Sequence, residues 1–163
     1  MAHRSIVCRH TREATMNTQP TAASTPSKPT VYLITAATQQ RKPLFADLWA
    51  ARHVVREMRA LHDSGQVISL SWVLLPDRRH WLIALKDPVL LPALVWRLKE
   101  HSAKAIRSQL DTIDPIWNAT HHNRRLRPDQ EVLHIARKMM LRPIKRQVAR
   151  RLEDFSTWDS AWV

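Results

Sequence analysis

The order of apolar patterns along the chain predicts an α+β fold: a ferredoxin-like antiparallel sheet with helices packed on one face, plus a C-terminal basic helix. Three observations predict it. Runs of strand length, rich in β-branched and aromatic residues, alternate with segments of helical period in the order β, α, β, β, α, β, α. Two of the strand-like runs, ending at Leu75 and starting at His80, are joined through Pro76-Asp77, a hairpin turn. The 163 residues include a single glycine, which excludes the glycine-rich loops that cradle phosphates in P-loop and dinucleotide-binding folds.

Each element has its own signal. Thr30 opens the run Thr-Val-Tyr-Leu-Ile-Thr-Ala, a strand by composition. Residues 47 to 62 place Leu48, Ala51, Val54, Val55, Met58 and Leu61 on one helical stripe behind Asp47, whose short carboxylate suits an N-cap. From Val67 to Leu75 a strand alternates Ser69 and Ser71 on one face with Ile68, Leu70, Trp72 and Leu74 on the other. His80 to Leu85 completes the hairpin. Pro92 falls in the first turn of a second helix reaching about Leu110, with Leu91, Leu94, Val95, Leu98, Ala105 and Ile106 along its stripe. A short strand is expected around His121 to Arg127. The third helix starts near Asp129 and presents Val132, Leu133, Ala136, Met139 and Met140 to the core; Pro143 kinks or ends it at Arg142.

Residues 1 to 29 mix Thr, Ser, Ala and Pro without an apolar period, the composition of a disordered tail ahead of a folded domain spanning 30 to 163. Met1 and Met16 are alternative starts. With 44% hydrophobic residues and seven Trp the chain can bury a real core. Cys8 is the only cysteine, so no internal disulfide forms, and a reducing, cytoplasmic location is expected. No run approaches the length of a membrane span.

The formal net charge is +12. The segment 137 to 151 carries Arg137, Lys138, Arg142, Lys145, Arg146, Arg150 and Arg151 and no acidic residue, so it projects a positive potential suited to phosphates. Arg78 and Arg79 at the hairpin, and Arg124, Arg125 and Arg127 near the late strand, extend the basic set. All twelve are expected DNA-binding residues.

Several segments together resemble the REP-associated tyrosine transposases, single-tyrosine relatives in the histidine-hydrophobe-histidine (HUH) group. They are Tyr32 to Ala36 with Pro43-Leu44-Phe45-Ala46-Asp47, the hairpin Val73 to Trp81, the helix segment Arg97 to Ala103, Trp117, and the ending Asp154 to Trp162. The resemblance covers most of residues 30 to 163. It implies hairpin or single-stranded DNA as the partner, and a divalent metal held by two His residues one position apart on a strand. Those positions are Arg78 and His80 here, so His80 alone is left of the metal pair. The resemblance also implies a nucleophilic Tyr in an Ala-Arg-Tyr motif followed by Asn-Pro. This chain reads Ala136-Arg137-Lys138 and then Arg142-Pro143, which puts Lys138 at the tyrosine position. A guanidinium has no lone pair for a metal, and a 5′-phosphotyrosine step needs a phenol oxygen. Tyr32, the only tyrosine, falls on the first strand as a structural residue.

The expected function is therefore DNA binding without strand cleavage and with no cofactor. The alternatives are an active transposase using Mg²⁺ or Mn²⁺ and carrying out DNA transposition, and a regulatory or interaction remnant. A homodimer is compatible with each. His121 and His122 are the best candidates for a further metal, but adjacent strand residues face opposite ways and no compact Cys/His spacing supports one. Trp81, Trp96 and Trp117 can either stack on unpaired bases or pack in the core, and their apolar neighbours favour the core. Trp158 and Trp162 are placed to clamp the C-terminal end onto the domain.

Overall fold

The structure, a computed structural model, describes residues 28–127, 130–151 and 157–160. Strand β1 (Thr30–Ala37) leads through two single turns of 3-10 helix to helix α1 (Leu48–Asp63). The hairpin β2 (Ile68–Leu75) and β3 (Arg78–Leu85) follows, then α2 (Leu91–Leu110), β4 (His122–Arg125), α3 (Gln130–Met140), the one-turn α4 (Arg142–Lys145) and β5 (Trp158–Ser160). The five strands form one antiparallel sheet in the order β4-β1-β3-β2-β5. The expected sheet is present, with a fifth strand at its edge that the apolar pattern did not reveal. The expected N-terminal tail lies, but for residues 28 and 29, outside the described residues, as does Trp162.

Local chemistry explains the boundaries. The Asp47 carboxylate accepts from the backbone N–H of Trp49 (2.7 Å) and Ala50 (3.3 Å), satisfying two donors that the first turn of α1 leaves open and contributing about 1 kcal/mol. Leu48 to Leu61 then buries Ala50, Ala51, Val54, Met58 and Leu61. Pro92 lies in the first turn of α2, where its missing N–H costs nothing. Leu141 separates α3 from α4, and Pro143, itself buried, lies in the first turn of α4.

Both faces of the sheet are covered. α1 and α2 lie on one face as expected, over Ile34, Trp72, Leu74, Trp81, Ile83 and Leu85. α3 covers the opposite face, packing Val132, Ile135, Ala136 and Met139 on Val73, Leu75 and Leu82. That placement explains why β2 and β3 read as nearly continuous apolar runs: they are buried on both sides.

The reading of β2 requires one correction. Ser69 pairs with Ile83 and Ser71 with Leu82, leaving Leu70 as an extra residue in a β-bulge. The extra residue reverses the side-chain alternation, so the two serines point to opposite faces. Ser69 accepts from the Trp81 indole at 2.9 Å on the α1/α2 side, while the Ser71 hydroxyl lies 3.7 Å from Met140 Sδ on the α3 side. Leu70 packs with the α3 core, and Trp72 and Leu74 pack with the other. Tyr32 is a half-buried strand residue packed against the main core, as its position on β1 implied.

Candidate nucleic-acid interface

The site is built around the hairpin turn. Asp77 Oδ2 accepts from Arg78 Nη2 at 2.7 Å and Oδ1 accepts from Arg78 Nε at 3.0 Å, a two-pronged pair. Arg41 and Arg146 also face this carboxylate, at 3.5 and 3.7 Å. The hydrogen bond from Arg78, with the charges of Arg78, Arg146 and Arg41, holds the Asp77 carboxyl below its usual range despite partial burial. The chain after β1 is fastened to the turn by Thr38 N–H donating to Asp77 O (3.0 Å) and Phe45 N–H donating to Pro76 O (2.9 Å). Gln40 and Arg41 adopt left-handed backbone there, with φ of 53° and 58°, at a cost of about 1–2 kcal/mol each. Arg41 thereby joins the cluster. Sequence reasoning missed it, since nothing in a short loop indicates that its backbone folds back onto a distant turn.

His80 lies one strand position beyond Arg79, on the α3 side. It is almost fully buried. Arg142, at the start of α4, reaches it from above, with Nη1 3.3 Å from His80 Nε2. A guanidinium only donates, so Nε2 accepts, and the neutral ring carries its proton on Nδ1, donating to Thr35 Oγ1 at 2.9 Å. Burial, reinforced by Arg142, Arg78, Arg146 and Arg79, pushes the His80 imidazole down to about 3. It is neutral throughout the physiological range. Burial and the charges of Arg146 and Arg78 push the Arg142 guanidinium down as well, and its Nε has no partner among the described residues.

These residues do not fit a divalent metal. The imidazole nitrogen that could ligate accepts from Arg142, and the neighbouring position on the same strand face is Arg78. Among the described residues no group of three His, Cys, Asp or Glu side chains could hold a metal ion. What the arrangement offers instead is four guanidinium groups, those of Arg41, Arg78 and Arg146 around the Asp77 carboxylate and that of Arg142 on His80. Such an excess of fixed positive charge, already partly desolvated, suits a phosphate group.

The other predicted residues divide. Arg137, Lys138 and Lys145 are exposed on α3 and α4, with Lys138 one helical turn before Arg142. Arg150 and Arg151 are exposed beyond α4. Arg124, Arg125 and Arg127 form a separate patch. They belong to the outer strand β4 and its end, where Arg124 pairs with Leu33 of β1, whereas Arg78 pairs with Ala37. The four-residue offset is about 13 Å along the strands. Arg124 is paired to Glu131, which also accepts from the Arg127 N–H at 3.0 Å.

Arg79 departs from the surface set altogether. Its side chain is on the α1/α2 side, 0% exposed, between the rings of Trp81 (5.2 Å) and Trp117 (5.7 Å), so it cannot contact DNA from the surface as its charge suggested. Trp81 and Trp117 are core residues, and Trp96 is 66% exposed. His121 is half-buried and His122 exposed on β4.

The sequence matches no family model and no curated protein. The fold does have solved counterparts. A REP-associated tyrosine transposase bound to a REP hairpin superposes with a TM-score of 0.60 at 17% identity, over 80% of this chain and 76% of that one. A Deinococcus radiodurans R1 protein assigned as a transposase superposes with a TM-score of 0.52 at 19% identity, over 73% of this chain and 91% of that one. At these identities the likeness is one of fold.

Proposed function

We propose that this protein binds DNA, as a hairpin or an exposed single strand, on the α3/α4 side of its sheet, and that it does not cleave the bound strand. The fold is that of transposases, and one structural counterpart is bound to a DNA hairpin. The observation that carries the reading is the contact between Arg142 and His80. It turns the nitrogen that would ligate a metal into the acceptor of a guanidinium, and so replaces a metal's charge by fixed positive charge. In this reading Arg78, Arg142, Arg146 and Arg41 take a backbone phosphate, with Arg137, Lys138, Lys145, Arg150 and Arg151 following the strand along the same side. Lys138 stands where the resembled family has its tyrosine and contributes charge rather than a phenol nucleophile.

Fluorescence-anisotropy titration of a hairpin, an unstructured strand and a duplex of equal length, each at low and physiological salt, tests the binding. Hairpin or single-strand preference that survives physiological salt supports it. Equal binding to all three that vanishes with salt reduces the surface to nonspecific charge. A covalent protein-DNA band from a labelled hairpin with Mg²⁺ or Mn²⁺ would overturn the non-cleaving half.

A further inference from the structure

The opposite side of the sheet holds a second concentration of positive charge that the DNA reading does not use. Arg79 is completely buried, and its Nε, Nη1 and Nη2 have no hydrogen-bond partner among the described residues. Native proteins rarely bury a charge without pairing it, because desolvating an unpaired charge is costly. Trp117, one of the two rings against this guanidinium, also forms a wall of a hollow between α2 and the segment 115–121. The hollow has a volume of about 260 Å³, just under the ~300 Å³ at which small-molecule pockets usually begin.

Its lining is apolar and cationic together: Trp96, Trp117 and Ile116 with Lys99, Arg107 and His121. Glu100, the one acidic residue of the lining, lies 3.9 Å from Arg107. Lys99 Nζ donates to the carbonyls of Asn118 (2.5 Å) and Ala119 (3.0 Å), which leaves one of its three protons unused. Burial and the charge of Arg79 push the Lys99 ammonium down. Burial, then Lys99, Arg79 and His122, do the same for His121. Among the described residues no carboxylate pairs with Arg79, Lys99 or His121.

We propose that this hollow is a second binding site, for a nucleotide carrying a terminal phosphate group: the phosphate on Lys99 and His121, the base against Trp96, and Arg79 as the buried counter-charge beneath Trp117. Both an aromatic body and an anionic end are needed, because neither an apolar ligand nor a bare anion matches the whole lining. The phosphate can belong to a free nucleotide or to the end of a DNA strand. This site is independent of the arginine cluster around Asp77, on the other side of the sheet.

Isothermal titration calorimetry with the full chain tests it, using thymidine 5′-monophosphate, thymidine, inorganic phosphate and a trinucleotide with or without a 5′-phosphate. The monophosphate is expected to bind more tightly than thymidine or phosphate alone. Lys99→Gln should weaken it about tenfold, the value of one charge-assisted hydrogen bond. Because Lys99 also holds the 118–119 backbone, Trp96→Ala is the second variant: it alters an exposed side chain and should weaken the nucleotide while leaving inorganic phosphate unchanged. Arg142→Ala should have no effect. Equal binding of the phosphorylated trinucleotide identifies a strand end, and binding of the mononucleotide alone identifies a free nucleotide; both sustain the site. No binding, equal affinity for thymidine and its monophosphate, equal affinity for phosphate and the monophosphate, or insensitivity to both Lys99→Gln and Trp96→Ala would overturn it.

Discussion

Arg79 and His80 are consecutive residues of β3, and the alternation of a strand sends them to opposite faces, where burial is resolved in opposite ways. His80 is buried neutral, with both ring nitrogens hydrogen-bonded, one to Thr35 and one to Arg142. Arg79 is buried charged, with two indole rings and, among the described residues, no hydrogen-bond acceptor. A group that can shed its charge does so when desolvated, and a guanidinium, pushed down only to about 9, keeps its proton at neutral pH. The α3 face therefore has its histidine neutral and hydrogen-bonded and three arginines grouped about Asp77, with only Arg142 Nε lacking a partner among the described residues, while the α1/α2 face buries a whole guanidinium without one. The difference separates a basic cluster arranged about a carboxylate from a basic cluster that lacks its anion.

The largest expected effect sharpens the first half of this contrast. His80 sits at about 3 in the folded protein against about 6.5 in an unfolded chain. The unfolded chain takes up its proton first, so stability is full above about pH 6.5 and falls as pH drops toward 3. The slope is up to about 1.4 kcal/mol per pH unit. Asp77, held below its ordinary value, acts in the same direction at the acid end: its contribution is present above the unfolded carboxyl pKa and is lost as pH falls through the folded one. Urea unfolding from pH 7 to pH 4 should show the decline, and His80→Gln should flatten it between pH 6.5 and 4.5. An unchanged slope in the variant would mean that His80 is not the group responsible.

Next in size is the DNA face. Arg78→Ala with Arg142→Ala should weaken hairpin binding about a hundredfold, roughly tenfold for each lost charge-assisted contact. It should also lower the dependence of log affinity on log salt by about 1.5 to 2. Anisotropy titrations at three salt concentrations measure both quantities. An unaltered slope would place the phosphate contacts elsewhere.

Arg79→Met addresses the other side of the sheet. Replacing an unpaired buried charge with an apolar side chain of similar length should stabilise the protein by about 2 kcal/mol, within the range seen when buried charges are exchanged for well-packed apolar groups. Thermal unfolding reads the change. A loss of stability would show that the stacking on Trp81 and Trp117 outweighs the desolvation cost, and would remove the asymmetry between the two faces. The smallest effect is expected from Arg125→Ala with Arg127→Ala, which should reduce hairpin affinity less than tenfold, because these side chains belong to the separate patch on β4. A loss as large as that of the Arg78 and Arg142 pair would join the two patches into one interface.

Much of the scaffold was legible in the amino-acid sequence because it follows from local physics. Asp47 as a cap, the helical stripe from Ala51 to Leu61 (Leu48, expected on it, is exposed), Pro92 in a first turn, Pro76-Asp77 between two apolar runs and Pro143 just past the end of α3 each act within a few residues. The ingredients of the basic surface were equally plain, as counts of Arg and Lys without acidic neighbours. β5 was not legible: three residues with an ordinary composition become a strand only because the edge of β2 is there to pair with them.

What the tertiary structure decided is which side chains meet, and which of them meet nothing. One extra residue at Leu70 sends Ser69 and Ser71 to opposite cores. The pairing of β1 with β3 sets Thr35 beside His80, the turn between α3 and α4 brings Arg142 to the same ring, and a left-handed turn brings Arg41 to Asp77. Arg78 and Arg79 look alike in sequence, yet one grips a carboxylate and the other is buried beneath Trp117. The reason is that charge is a property of a residue, whereas desolvation and partnership are properties of a place. Only the fold creates the place.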